Sequence, residues 1–74
     1  MKNTLAMLDV VALECDVPEK GLRRGQVGTV VEELGDGAFE VEFSDDDGRA
    51  YAFVALGAAD LLKLFYQPDA AVGR

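Results

Sequence analysis

The stretch Gly35-Asp36-Gly37-Ala38-Phe39-Glu40-Val41-Glu42-Phe43-Ser44-Asp45-Asp46-Asp47-Gly48 constrains this chain more than any other. Apolar and acidic residues alternate over 38–44 with the two-residue period of a strand, which no helix matches. Phe39, Val41 and Phe43 fall on one face, and Glu40 and Glu42 on the other. A turn signal lies on each side. Asp-Gly and Gly-X supply the positive φ that tight hairpins need, and the run of Asp keeps the second turn in water. The chain must reverse at both ends of this strand, and the arrangement that satisfies both reversals is an antiparallel sheet.

Neighbouring segments extend the pattern. Val10 to Leu13 is a short β-branched run bounded by Asp9 and Glu14, and reads as a first strand. Pro18 and Gly21 break regular pairing in the loop after it, from which Leu22 turns inward because Arg23 and Arg24 stay wet. Gln26 to Leu34 is the second strand; Gly28 within it marks a bulge or a close backbone approach. Arg49 to Leu56 is the fourth, with Tyr51, Phe53 and Ala55 on one face and Ala50, Ala52, Val54 and Leu56 on the other. Gly57 to Asp60 has room for one 3₁₀ turn. Leu61 to Tyr66 is the last strand, ended by Pro68. The layout predicts a flexible leader over 1–7, one domain over 8–67 and a flexible tail over 68–74.

Length and charge limit what such a domain does. Seventy-four residues make one small domain with no room for a deep pocket around a large cofactor. The net charge is −7, and residues 32–47 carry eight acidic side chains and no basic one. That charge opposes binding to a phosphate backbone and to an anionic membrane, and favours a basic protein partner. There is no His, so the commonest general base and zinc ligand are missing. One Cys makes no internal disulfide, which points to a reducing cytoplasm.

Three motifs invite chemistry and are better read without it. Asp45-Asp46-Asp47-Gly48 offers oxygen ligands but lacks the spacing of a calcium loop and its bidentate Glu. Glu40 and Glu42 form a carboxylate pair, yet a domain of this size has little room for the cleft that raises one pKa. The residues that follow the pairs Gly25/Gly28 and Gly35/Gly37 are strand, whereas a phosphate loop needs a following helix. Neither catalysis nor a bound cofactor or metal is expected.

Five strands joined by one long early loop, two tight hairpins and a single turn before the last strand resemble the SH3-like barrel. Asp9-Val10-Val11-Ala12-Leu13, followed by Gly21-Leu22-Arg23-Arg24-Gly25-Gln26-Val27-Gly28-Thr29-Val30-Val31, is similar to the opening of KOW-type and nitrile-hydratase-accessory-type barrels. Four segments together resemble a family of small bacterial proteins known as domain of unknown function 4926. They are Leu8 to Leu13, Gly25 to Glu32, Gly35 to Phe43 and Asp46 to Ala52, within a resemblance that covers roughly residues 7–66. The resemblance implies an all-β, small SH3-like five-stranded barrel with one short 3₁₀ turn before the last strand. It implies no activity.

The expected function is therefore noncatalytic binding of another protein or of a second copy of the chain. Tyr51 and Phe53 are the aromatic anchors, because a small barrel cannot bury both faces of the fourth strand. Glu40 and Glu42 suit a basic partner. Arg23 and Arg24, with Lys20, form the one basic cluster, expected to pair with nearby acids or with an acidic partner. Two other readings stand beside this one: an acidic, antitoxin-like neutralising partner in a two-component bacterial module, and a KOW-like RNA- or ribosome-associated barrel. An accessory domain of a metalloenzyme ranks last.

Overall fold

A computed structural model describes residues 4–65. Five strands form: β1 (Val10–Leu13), β2 (Val27–Gly35), β3 (Ala38–Ser44), β4 (Ala50–Gly57) and β5 (Leu61–Lys63). They make one antiparallel sheet in the order β4-β3-β2-β1-β5, so β4 and β5 are its edges. The all-β expectation holds. Among the described residues no ladder joins β4 to β5, so hydrogen bonds do not close the sheet into a barrel. No described helix is long and apolar enough to cross a membrane.

The β2–β3 hairpin follows from its turn chemistry. Asp36 and Gly37 have φ of 55° and 76°, the two positive values that a tight hairpin of this hand requires. A 3₁₀ turn over Ala58–Asp60 carries the chain from β4 to β5, as expected. A second 3₁₀ turn, Pro18–Lys20, was not expected. It sits inside a small hairpin closed by Val17 and Leu22, which exchange backbone hydrogen bonds of 2.9 and 3.1 Å. Both side chains are buried, so the long loop has its own piece of core.

The core lies on one face of the sheet. Val11 and Leu13 come from β1, Val30 from β2, Val41 and Phe43 from β3, Val54 and Leu56 from β4, and Leu61 from β5. Phe39, expected beside Val41 and Phe43, is half-buried and packs on the core from its margin. Three strands differ from the expectation in their limits. β2 and β4 each start and end one residue later, and β5 stops at Lys63, although the Leu64 N–H still reaches the Val10 carbonyl at 2.9 Å. Tyr66 and the expected tail, 68–74, lie outside the described residues.

The expected leader contributes to the domain. Leu5 is buried in the core, and the Leu8 N–H donates to the Val30 carbonyl at 2.7 Å. Asp9 closes a turn over residues 6–9: its carboxylate accepts from the Ala6 N–H at 2.8 Å, and its own N–H donates to the Ala6 carbonyl at 3.1 Å. Packing thus begins at Leu5 and not at Leu8. The turn places Leu8 at φ 72° with 72% of its surface exposed. A side chain with a Cβ is strained there and gains little burial in return. Leu8→Gly is expected to raise stability by about 0.5–1 kcal/mol. Urea unfolding checks this; a fall in the midpoint would mean that Leu8 makes a stabilising contact.

Candidate partner-binding surface

The face of the sheet opposite the core is built from rows of cross-strand neighbours. Val10 faces Thr29, Thr29 faces Glu42, and Glu42 faces Phe53. A second row runs Glu32, Glu40, Ala55. A third runs Val27, Ala12, Leu62. The ladder thus brings Phe53, Glu42 and Glu40 side by side on β3 and β4.

The faces of β4 are now distinguished. Ala52, Val54 and Leu56 turn toward the core, while Tyr51 and Phe53 are 51% and 54% exposed. The register slips between Phe43 and Ser44, which pair with Ala52 and Ala50, so Tyr51 is the extra residue of a bulge. The bulge tilts its ring back toward Phe43, with 6.4 Å between centroids. The Tyr51 hydroxyl accepts from Gln26 Nε2 at 3.1 Å.

Gln26 also ties this corner to the basic loop. Its side-chain oxygen accepts from the Arg23 N–H, and its own N–H donates to the Arg23 carbonyl at 3.1 Å. The Arg24 N–H donates to Asp16 Oδ1 at 2.8 Å. The loop meets its acids through backbone amides. Among the described residues the ion pair is Lys63 Nζ with Asp9 Oδ2, at 3.4 Å. Lys20, Arg23 and Arg24 are exposed and form none, contrary to the expectation that they pair with nearby acids.

Glu40 and Glu42 were expected in full solvent and are half-buried among their neighbours. Glu40 lies directly opposite Glu32, a like-charge pair across the ladder. Glu40→Gln and Glu42→Gln are each expected to change folding stability by less than about 0.5 kcal/mol, with Glu40→Gln the more favourable. Thermal melts compare the two, and collapse of either variant would mean a buried structural carboxylate.

The other polar groups serve the fold. Asp45 Oδ1 accepts from the N–H groups of Asp47 and Arg49 at 2.9 and 3.0 Å, so that carboxylate shapes its own turn. Among the described residues no three acidic or thiol groups are placed to hold a metal ion. Partial burial, and after it Asp60, Asp16 and Glu14, hold the Cys15 thiol above its ordinary value, so little thiolate forms at neutral pH.

Sequence reasoning named Leu62 as apolar surface near the fourth strand but did not single out Val27 or Glu32. Val27 and Leu62 are exposed and flank Ala12, widening the apolar part of the outer face. Val27 shares strand parity with Thr29, the one local signal that could have placed it outside. Leu62 and Glu32 acquire their places from pairing partners distant in sequence.

A family model described as a domain of unknown function, DUF4926, matches residues 7–63. No curated protein matches the chain, and no solved structure matches it.

Proposed function

The chain belongs to the DUF4926 family, and on that premise we propose that it is a noncatalytic module that binds another protein chain through the outer face of β3 and β4. One observation carries this reading. Tyr51 and Phe53 stand half-exposed on an edge strand with no charged residue between Arg49 and Asp60. Solvent-facing strand positions are ordinarily polar, and exposed aromatics bounded by charge mark contact surfaces. The net charge of −7 favours a basic partner over nucleic acid.

The scaffold for this surface is an SH3-like barrel. Supporting that are the order β4-β3-β2-β1-β5 and the lone 3₁₀ turn before β5. A flat sheet would separate its edges by about 19 Å, four inter-strand spacings. Three residues of 3₁₀ turn advance only about 6 Å. A short link between edge strands therefore favours a strongly curled sheet.

Photo-crosslinking tests the function. A photoreactive phenylalanine analogue at position 53 is expected to capture one discrete protein, a second copy included, in the native cell. The same analogue at position 46, in the exposed turn, is expected to capture none. Equal labelling from both positions would overturn the reading. The exposed Arg23 and Arg24 are the one observation favouring the KOW-like RNA reading. No binding to generic RNA or duplex DNA is expected near physiological salt. Salt-sensitive micromolar binding that vanishes in the Arg23→Ala/Arg24→Ala variant would favour RNA instead.

A further inference from the structure

We propose that the partner engages β4 as an added strand: an extended, basic segment that hydrogen-bonds along its free edge and sets Lys or Arg side chains against Glu40 and Glu42. This rests on the protein-binding reading above and specifies its mode and the chemistry of its partner.

Three observations lead there. The first is the edge itself. Among the described residues β4 has a hydrogen-bonded neighbour on one side only, so the backbone groups of its other side are unpaired. Proteins protect such an edge with Lys, Pro, inward-pointing charge or a bulge. From Ala52 to Gly57 there is none of these, and the bulge lies before that run, at Tyr51. An open, uncharged edge of this length is a template for another strand.

The second is the outer row of side chains. An added strand would place alternate residues beside Phe53 and Ala55 on the outer face. Phe53 offers an aromatic surface. Ala55 is small, so a long side chain next to it can pass over toward Glu40. The hydrocarbon stem of a Lys or Arg lies on apolar surface while its charge reaches a carboxylate, and this surface offers both.

The third is uncompensated charge. Glu32 faces Glu40 across β2 and β3, Glu42 lies one outer-face position along, and none of the three forms an ion pair among the described residues. A cation from outside would relieve this repulsion. A second copy of the chain is the weaker candidate for the same edge. It would bring a further −7 and its own acidic face. The carboxylates are not grouped to hold a metal ion, which leaves cationic side chains on an extended backbone as the matching ligand.

The test uses the full chain and a synthetic peptide of about eight residues alternating Lys and Val, long enough to span the edge. Controls are the same peptide with Glu for Lys, and one N-methylated at alternate amides so that it cannot pair along an edge. Calorimetry is expected to show binding of the Lys peptide and none of the Glu peptide. N-methylation should weaken binding by at least about tenfold, as should the Glu40→Gln/Glu42→Gln variant. Amide exchange should slow in β4 and not in β5. Failure of the Lys peptide to bind overturns the proposal, as does binding indifferent to N-methylation or to the Glu→Gln changes. A dimer that protects β4 without peptide also overturns it, because the occupant is then a second copy. In those cases crosslinking from position 53 still decides separately whether the face binds protein at all.

Discussion

Phe43→Ala is expected to strip the domain of most of its stability, leaving it partly or largely unfolded and melting far below the parent. Phe43 is fully buried and is the largest of the wholly buried side chains. It lies on β3, which pairs with β2 on one side and β4 on the other, so its surroundings are held from both directions. Truncation of such a ring costs about 3–5 kcal/mol through lost burial and the cavity left behind. A domain of 74 residues has about 4–8 kcal/mol of stability at ordinary per-residue values. The loss therefore consumes most of the total. Circular dichroism melts check it, with Phe43→Leu as the milder comparison. Leu keeps much of the volume and is expected to cost about 1–2 kcal/mol and retain a cooperative transition. A Phe43→Ala variant that melts within a few degrees of the parent would show that the β3 register is wrong, because a slip by one residue exchanges its faces.

The same register explains what could be read before the structure. On β3 the alternation is unambiguous: an acidic residue separates each apolar one, and only one assignment of faces avoids burying Glu40 and Glu42. The Asp36-Gly37 hairpin was equally plain, because few residue pairs accept two positive φ values. β4 carries apolar residues on both faces, so its period holds no information about which face is inside. Tertiary pairing chose Ala52, Val54 and Leu56. The sequence did limit the outcome to one exposed face, and that reasoning singled out Tyr51 and Phe53.

Other features were hidden for different reasons. Pro18 followed three residues later by Gly21 is the start-and-stop signature of a helical turn, since Pro suits a first position and Gly suits the left-handed residue after it. Read only as breakers, the two residues concealed the Pro18–Lys20 turn between them. Leu5 had no periodic neighbours to signal burial; its segment is tied to β2 three residues later, where the Val30 carbonyl accepts from the Leu8 N–H. The Glu32–Glu40 pair depends on where β2 shifts register, between Val30 and Glu32, and no local pattern reports that position. The candidate surface was thus legible in its aromatics and carboxylates but not in its geometry. A sheet edge is defined by which strands fail to pair, a property of the whole chain.

Gly28 offers the sharpest test of that geometry. Sequence allowed it two roles, a bulge or a close approach, and the structure selects the second: Val11 pairs with Gly28 in regular register, while the irregularities of β2 fall beyond Val30. Its φ is not in the left-handed region, so backbone strain is no reason for a glycine. Space is the reason. A Cβ at this position would lie 2.7 Å from Val41 Cγ1, 2.8 Å from the Glu42 carbonyl oxygen and 3.0 Å from Phe43 Cδ2. Val41 and Phe43 are fully buried and have little room to turn aside, and the Glu42 carbonyl belongs to a strand paired on both sides. Gly28→Ala is therefore expected to cost about 3 kcal/mol, the upper end of overpacking in a tight core. Gly57 provides the contrast. It is extended, with φ −79° and ψ 154°, and a Cβ there meets nothing within 4 Å. Gly57→Ala is expected to stabilise by about 0.5 kcal/mol, because it restricts the unfolded chain without disturbing the folded one. Denaturant unfolding of both variants in the same buffer gives the comparison directly. Opposite signs would establish that the β2–β3 contact at Gly28 leaves no room for a methyl group. Equal and small effects would mean that the two strands do not approach as closely as the structure places them, and the inward position of Phe43 would have to be reassigned with them.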